Sequence, residues 1–326
     1  MIIPDPIRQS NFRDFQLTGL ANRGMMQAHR RCILSRKNFT PWILLGVLSL
    51  IWGSSFILIK KSLEGLTPLQ TGSLRVLIAA LVFVPWVLIR RKRIPWQRLA
   101  PVLAFALCEV GIPPYLYALA QTKVSSGTAG ILNSLVPLFT LVTGAIFFAI
   151  PAARRDAAGV LLGFGGAVIL VGGGGFVFHA RDLLGLLIVL ATLLYAFGGN
   201  IIQTRLASIS PLDISALAFV SMGIPSLFVL LIEGVPAINP VTAPSLMAVT
   251  LLALVGSAGA IVLFSRLIHL SGALFASFVT YLIPVAALGW AVLDGEVVTP
   301  RQLIALAGIL GGVALVNRRR RPPSLL

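Results

Sequence analysis

Charged residues and cysteines are scarce in this 326-residue chain, and each scarcity excludes a class of protein. Only 11% of the residues are charged and 57% are hydrophobic, against about 25% and 45–50% in a soluble domain, so the excess apolar surface is predicted to face lipid. Two cysteines, Cys32 and Cys108, are too few for a disulfide framework or a thiolate metal site. The sequence also lacks a Gly-x-x-x-x-Gly-Lys-Ser/Thr phosphate-binding run, which disfavours transport driven by ATP within this chain.

Histidines are equally few and offer no metal cluster. His29, His179 and His269 fall in separate loops or helix ends, without the spacing that a metal site needs. The net charge of +16 could suit nucleic acid, but the basic residues lie in short clusters between apolar runs and are not interleaved with aromatics. We therefore predict no metal, no cofactor and no nucleic-acid partner.

Ten apolar runs, each near the length of about 20 residues that crosses a hydrocarbon layer, follow one another with short connections. They lie at residues 41–61, 69–90, 97–120, 126–149, 155–175, 182–206, 212–232, 243–267, 271–293 and 300–317. Backbone groups in lipid must bond within their own segment, so runs of this length predict helices and not strands. The predicted fold class is an all-α integral membrane protein with ten transmembrane helices.

The loops between these runs differ in their content of Lys and Arg. Alternate loops hold 20 basic residues on one side and 5 on the other, with Arg75 inside a span. Basic residues accumulate on the cytoplasmic side, so both termini are predicted to be cytoplasmic. Residues 1–40 are predicted to form a solvated tail and not a signal peptide, with a translation start at Met25 or Met26 as the alternative. Residues 318–326 are predicted to form a basic cytoplasmic tail.

The chain contains a weak internal repeat. Sliding the sequence by 147 residues aligns Leu135-Val136-Pro137 with Leu282-Ile283-Pro284. Each proline then lies in the fourth of five spans. An odd number of spans per unit inverts the second unit relative to the first, an arrangement typical of alternating-access transporters. We predict two inverted five-helix repeats, residues 41–175 and 182–317.

The two matched prolines predict where a solute could bind. Pro137 and Pro284 each free the carbonyl four residues earlier, those of Asn133 and Thr280. Helices broken at matched depth in two inverted halves point to a transporter's binding site. Packing alone is the alternative, because prolines also kink membrane helices without any ligand.

Two charged residues lie at membrane depth. The antiparallel second and third helices would bring Arg75 and Glu109 to within about 7 Å in depth at a rise of 1.5 Å per residue. A carboxylate in a low-dielectric medium is readily protonated, so Glu109 is the proton-coupling candidate, with a structural Arg75–Glu109 ion pair as the alternative. Further substrate-cavity candidates are Trp52, Ser55, Tyr195, Asn200 and Tyr281.

Two other patterns predict structure and not binding. Residues 159–163 and 308–312 both read Gly-x-x-x-Gly, a spacing that lets helix backbones approach closely. Lys60, Lys61 and Glu64 follow the first span and are predicted to be a solvated helix end and not a gate.

Several motifs together match a known pattern. They are Trp52-Gly53-Ser54-Ser55-Phe56 followed by Pro68 and Arg75, Ala118-Leu119 leading through Ser125-Ser126-Gly127 to Pro137-Leu138-Phe139-Thr140, and Gly295-Glu296 with Pro300. These resemble the drug/metabolite transporter (DMT) superfamily, in particular bacterial proteins with two tandem EamA domains. The sequence departs from that family's pattern at two places. The first repeat has Phe148-Ala149 where the second has Gly295-Glu296, and the sixth span lacks the Trp-Gly pair of the first span. The resemblance implies ten helices, a central cavity between the halves, and export of amino acids, metabolites or drug-like molecules.

The chain is therefore predicted to be a secondary active transporter of the cell inner membrane and not an enzyme. It would export a small amino-acid-like or drug-like solute by alternating access, with the solute and the lipid bilayer as its partners. A channel-like facilitator or a lipid flippase without proton coupling is the alternative. An intramembrane enzyme is disfavoured because Glu109 has no second carboxylate or nucleophile–base pair beside it. The sequence leaves open the substrate, the direction, the coupling ion and the oligomeric state, a homodimer included.

Overall fold

The computed structural model of the chain describes residues 39–91, 96–151, 156–171 and 180–317. Residues 1–38 of the predicted N-terminal tail, the C-terminal tail 318–326, Cys32, His29 and His179 lie outside these ranges. The chain divides into two compact units, Met1–Ile43 and Leu44–Leu326. Of the first unit the structure describes residues 39–43, which begin helix α1.

The described residues form helices and no β-strand. The α-helices are α1 Thr40–Ser62, α2 Pro68–Arg90, α3 Leu99–Ala106, α4 Pro113–Ala120, α5 Ser126–Asn133, α6 Val136–Phe147, α7 Asp156–Val171, α8 Ala180–Arg205, α9 Pro211–Glu233, α10 Ala243–Leu251, α11 Ala260–Ala276, α12 Val279–Leu293 and α13 Pro300–Asn317. Two π-helical segments, Leu107–Gly111 and Leu252–Gly259, join α3 to α4 and α10 to α11.

Seven helical stretches in these ranges are long and apolar enough to cross a membrane. They are Thr40–Ser62, Pro68–Arg90, Leu99–Ala120, Ser126–Phe147, Leu183–Arg205, Pro211–Glu233 and Ala243–Gly272. Three shorter apolar helices, Asp156–Val171, Val279–Leu293 and Pro300–Val316, lie where the fifth, ninth and tenth spans are predicted. The chain is thus an all-helical, multi-pass membrane protein.

Helix α2 begins with a reciprocal cap. The Thr67 hydroxyl accepts a hydrogen bond from the Gln70 backbone N–H at 3.2 Å, and the Gln70 side-chain oxygen accepts one from the Thr67 N–H at 3.1 Å. Pro68, at the first helical position, has no N–H to satisfy. These bonds satisfy backbone N–H groups of the first turn that have no partner within the helix. The helix can therefore begin directly after the short connection from α1.

Helices α2 and α9 pack antiparallel along their length. At one end, the Gln70 side-chain amide donates to the carbonyl of Gly234, directly after α9, at 2.9 Å. At the other end, Arg90 forms an ion pair with Asp213, in the first turn of α9, at 3.3 Å. Trp86 also donates its indole N–H to Asp213 at 2.8 Å. The start of each helix therefore lies beside the end of the other.

Helices α7 and α13 meet through the two Gly-x-x-x-Gly motifs, as the sequence predicts. A Cβ added to Gly159 would lie 2.6 Å from the Gly312 carbonyl oxygen, and a Cβ added to Gly166 would lie 2.8 Å from the Ala305 carbonyl oxygen. Such distances require shifts of the backbone, because real Cβ atoms do not come so close. Glycine is therefore needed for the approach of these two backbones.

The chain breaks near both matched prolines, but at different positions from those predicted. In the first repeat α5 ends at Asn133 and α6 begins at Val136, so Pro137 lies in the first turn of a new helix. In the second repeat Pro284 remains inside α12, and the break precedes Val279. Proline is tolerated in a first turn because its missing N–H is not needed there.

The loops after α6 and α12 each contain one residue with a positive φ, but at different positions of the repeat. Ala149 has a φ of 53°, and Gly295 has a φ of 81°. The 147-residue offset places Gly295 on Phe148 and not on Ala149. After α6 the Ile150 N–H bonds back to the Gly144 carbonyl at 3.0 Å, whereas after α12 the Glu296 N–H bonds back to the Ala291 carbonyl at 2.8 Å. The two loops therefore make different turns, and only the second places glycine, which a positive φ costs least, at the left-handed position.

We expect Gly159→Ala to lower the melting temperature of the detergent-solubilised protein. The new methyl group would meet the backbone of α13, and overpacking of this kind costs about 1–3 kcal/mol. The matched control is Gly165→Ala in the same helix, because a Cβ at Gly165 meets nothing within 4 Å. Equal melting temperatures for the two variants would contradict this account of the α7–α13 contact.

Candidate functional site

A cavity of about 400 Å³ lies among helices of both repeats. Seven of the predicted site residues line it: Trp52, Ser55, Arg75, Glu109, Asn133, Tyr195 and Thr280. They come from α1, α2, the first π-helical segment, α5, α8 and α12, so residues far apart in the sequence meet in one space.

Arg75 and Glu109 both line the cavity but do not bind each other. The Arg75 Nε donates to the Ser257 hydroxyl at 3.1 Å. Among the ion pairs of the described residues, none joins Arg75 to Glu109, so the structural pair that the sequence offered as an alternative is not formed. An arginine and a glutamate side chain therefore face the same cavity without pairing.

Both π-helical segments contribute to the cavity wall. Glu109 and Val110 come from the first segment, and Gly256 and Ser257 from the second. The 147-residue offset of the repeat carries the first segment onto residues 254–258, inside the second. A π-helical turn interrupts the regular helix ladder and often occurs at functional sites. No sequence signal predicted these segments.

A glycine of α8 lies beside the carboxylate of Glu109. A Cβ added to Gly198 of α8 would lie 2.8 Å from Glu109 Oε2. A larger residue at this position would require only the carboxylate to move, so the contact shows that α8 packs closely against the π-helical segment.

Aromatic rings and one hydrogen bond shape the opposite wall. The Tyr117 hydroxyl donates to the Asn133 side-chain oxygen at 2.8 Å. Tyr117 stacks with Tyr195 at 6.1 Å between ring centroids, and Trp52 lies 5.2 Å from Phe264. These contacts orient Asn133 and Tyr195 and leave apolar ring faces exposed to a solute.

Many lining residues were not among the sequence candidates. They include Phe56, Ile59, Phe105, Tyr117, Thr140, Pro211, Ser215, Phe219, Gly256, Ser257, Phe264 and Ser265. Helical spacing carried part of this information, because Phe56 and Ile59 continue the i, i+3, i+4, i+7 stripe that begins at Trp52 and Ser55. No sequence candidate lies in α9, so its lining residues Pro211, Ser215 and Phe219 could not be found in this way.

Four predicted candidates do not line the cavity. Asn200 is fully buried and donates to the Thr140 carbonyl at 3.0 Å and to the Thr143 hydroxyl at 2.9 Å, which ties α8 to α6. The Tyr281 hydroxyl donates to the Val313 carbonyl of α13 at 3.3 Å. The other two are Pro137 and Pro284.

The prediction of a solvated helix end is wrong for Lys60. Its ammonium lies 2.7 Å from Asp294 Oδ2 and 2.8 Å from Glu296 Oε1, in the connection between α12 and α13. Lys61 pairs with Asp294 at 2.8 Å and with Glu64 at 3.0 Å. Asp294 and Glu296 could not be predicted as partners of Lys60, because more than 230 positions separate them from it.

The described part of the chain holds no group of three or more His, Cys, Asp or Glu side chains that would bind a metal ion. Its site is instead an aromatic cavity that contains an arginine and a glutamate, lined by helices from both halves of the chain. This architecture is typical of membrane transporters, a class of protein in which the solute site lies between two helical repeats.

The chain belongs to the EamA-like transporter family, whose pattern matches residues 40–172 and 183–318. It is 30% identical over 279 residues to YedA, an uncharacterized inner membrane transporter of Escherichia coli strain K12, covering 83% of this chain and 88% of YedA. It is therefore a multi-pass inner-membrane transporter and not an enzyme.

Two further relatives have more specific names. An S-adenosylmethionine/S-adenosylhomocysteine transporter of Chlamydia muridarum is 28% identical over 280 residues, covering 82% of this chain and 88% of that protein. A probable amino-acid metabolite efflux pump of Salmonella typhimurium is 27% identical over 122 residues, covering 37% and 39%.

One solved crystal structure shares the fold. It aligns with a TM-score of 0.59 and 21% identity, and the alignment covers 86% of this chain and 98% of that one.

We expect Asn200→Ala to lower the melting temperature. Asn200 is fully buried, and each of the two hydrogen bonds that its amide donates to α6 contributes about 0.5–1.5 kcal/mol. Gln203→Ala in the same helix is the control, because Gln203 is exposed. If Asn200→Ala and Gln203→Ala have equal melting temperatures, the hydrogen bonds between α8 and α6 contribute nothing measurable to stability.

Proposed function

We propose that the chain is a secondary active transporter that exports a small amino-acid-like or drug-like solute by alternating access. The observation that carries the proposal is the cavity in which Arg75 and Glu109 face the same space without binding each other. Opposite charges at membrane depth are costly unless they serve a ligand or an ion pathway.

The lining favours a zwitterionic solute with an aromatic or apolar part. A guanidinium binds a carboxylate through directed hydrogen bonds, and a carboxylate binds an ammonium group. Trp52, Tyr195 and Phe264 offer ring faces for the remainder of the solute. Metabolites that join an α-amino acid group to an aromatic ring, such as S-adenosylmethionine, belong to this class, and the name of the Chlamydia relative agrees with it.

We further propose ten membrane crossings in two inverted repeats, residues 41–175 and 182–317, with both termini in the cytoplasm. The division of basic residues between alternate loops supports this orientation. Helix α7 has 16 described residues, about 24 Å at 1.5 Å per residue, a length that a locally thinned bilayer accommodates.

Reporter fusions test the proposed topology. We expect alkaline phosphatase to be active when fused within residues 294–299 and inactive when fused at residue 151, where a cytoplasmic fluorescent protein should instead be bright. Opposite activities would invert the orientation, and equal activities at the two sites would remove one of the proposed crossings between them.

A counterflow screen tests the function itself. Proteoliposomes loaded with unlabelled amino acids, sulfonium and adenosyl amino acids and common metabolites would be compared with empty vesicles under imposed proton gradients. Saturable uptake of label that responds to the gradient is expected for at least one zwitterion. Flux that neither saturates nor responds to the gradient would overturn secondary active transport in favour of a facilitator.

We expect Glu109→Gln to abolish proton-driven accumulation while downhill exchange of the solute continues. Glutamine keeps the size and a hydrogen-bonding oxygen of the side chain but cannot exchange a proton. The matched control is Glu233→Gln, an exposed carboxylate at the end of α9 that does not line the cavity. Accumulation is measured in vesicles at several external pH values.

Two results would remove Glu109 from the coupling role. The first is a pH dependence of Glu109→Gln that equals that of the parent protein. The second is an equal loss of accumulation in Glu233→Gln, which would indicate a general effect of removing negative charge. Size-exclusion elution of each variant in detergent establishes that the protein is folded.

A further inference from the structure

We infer that the cluster formed by Lys60, Lys61, Asp294 and Glu296 is a gate that closes the cavity at one face of the membrane. This inference rests on the proposed alternating access and adds to it the groups that must separate when the cavity opens at that face. We call the four residues the Lys60 cluster.

The Lys60 cluster joins three elements that line the cavity. Lys60 is in the last turn of α1, and Glu296 follows α12. The same Glu296 carboxylate accepts hydrogen bonds from the Ser126 N–H at 3.2 Å, the Ser126 hydroxyl at 2.9 Å and the Gly127 N–H at 3.2 Å, at the start of α5. One carboxylate therefore holds the ends of α1, α5 and α12 together.

Residues of the same three elements line the cavity. Ile59 precedes Lys60 and lines the cavity, as do Asn133 of α5 and Thr280 of α12. Helices α5 and α12 are also in close contact, because a Cβ added to Gly130 would overlap the side chain of Ala287. A solute cannot leave past the Lys60 cluster unless these elements separate.

The opposite end of the cavity lies at the other face. The start of α2 shares a face with Gly234, just after α9, and α2 follows α1 through a short turn. The start of α9 is therefore remote from Lys60, by about 34 Å at 1.5 Å per residue for a 23-residue helix. Pro211 and Ser215 at that start line the cavity, so the cavity reaches the face opposite the cluster.

Burial and charge fit a closed gate better than a solvated surface. The Glu296 side chain is 12% exposed and that of Asp294 is 16% exposed. Charge-assisted hydrogen bonds in such partly desolvated places are stronger than those of exposed ion pairs. Glu296 also places a negative charge at the N-terminus of α5, where the helix dipole favours it.

Both carboxylates remain ionised at neutral pH. Hydrogen bonds from Lys60 and Lys61 lower the pKa of Asp294. Burial acts to raise the pKa of Glu296, but the hydrogen bonds from Lys60, Gly127 and Ser126 outweigh it and leave the pKa lowered. The stabilisation that these bonds give is therefore present at neutral pH and is lost only as the pH falls through the lowered pKa values.

The test measures access to the cavity from each face. Ser55→Cys, in a background with Cys32→Ser and Cys108→Ala, would be labelled with a membrane-impermeant maleimide in right-side-out and in inside-out vesicles. The parent protein, with Ser55→Cys alone in this background, is expected to react faster from the membrane face at which Pro211 lies. In Lys60→Gln and Glu296→Gln, labelling from the face of Lys60 should rise by about ten- to hundredfold, the equilibrium shift that loss of one charge-assisted hydrogen bond gives.

Two features of the design keep the result interpretable. Lys60→Gln leaves Glu296 bonded to the start of α5, so this variant retains the helix cap even if Glu296→Gln does not fold. Glu64→Gln is the matched control, because Glu64 lies on the same face, is 57% exposed and, among the described residues, pairs only with Lys61. Its labelling should match that of the parent.

The outcomes separate the gate from the proposed function. Unchanged labelling from the Lys60 face in folded Lys60→Gln, or an equal rise in Glu64→Gln, would overturn the gate even if counterflow shows proton-driven transport. A rise confined to the Lys60 and Glu296 variants supports the gate even if no tested solute is transported.

Discussion

Hydrocarbon provides no water to satisfy polar groups, and the placement of nearly every polar side chain in this protein follows from that constraint. Backbone groups are satisfied within helices, and polar side chains bond to nearby carbonyls. The Thr143 hydroxyl, for example, donates to the Phe139 carbonyl one turn earlier at 2.7 Å. Asn200 bonds across to α6 because no water is available to it inside the helix bundle.

Several buried polar groups have no hydrogen-bond partner among the described residues, and one of them lines the cavity. Arg75 has one hydrogen bond from its Nε, to Ser257, and the buried Ser265 hydroxyl has no partner among the described residues. Polar groups with unused bonding capacity, surrounded by aromatic rings, can exchange bonds to water for bonds to a solute. The two π-helical segments place Glu109 and Ser257 there by interrupting regular helices in both halves.

The ends of the helices obey the same constraint in a different way. A helix start leaves backbone N–H groups without partners. At α5 these groups bond to Glu296, a side chain from the other half of the chain. This single interaction therefore both caps a helix and connects the two halves of the chain. Because a distant loop supplies the cap, a movement of that loop would remove it. Local caps, such as that of Thr67 on α2, have no such consequence.

Helix positions and much of the candidate site could be predicted from the sequence because they depend on local composition. Runs of apolar residues must cross lipid as helices. Charged residues such as Arg75 and Glu109 inside those runs stand out as functional candidates, because inserting a charged side chain into a membrane costs free energy. Gly-x-x-x-Gly motifs also indicated a close helix contact correctly. Pro137, Asn200, Tyr281 and Pro284 were chosen for their position within apolar runs, and that position does not say which side of a helix faces the cavity.

Local composition is sufficient to predict that this protein is helical, crosses a membrane many times and has an arginine and a glutamate within its apolar runs. Three contacts follow only from the packing of the helices. Arg75 bonds to Ser257 and not to Glu109, Tyr117 lines the cavity, and Lys60 pairs with Asp294 and Glu296. Lipid acts on each segment separately, through its hydropathy, whereas these contacts depend on how helices that are distant in the sequence rotate and pack against one another.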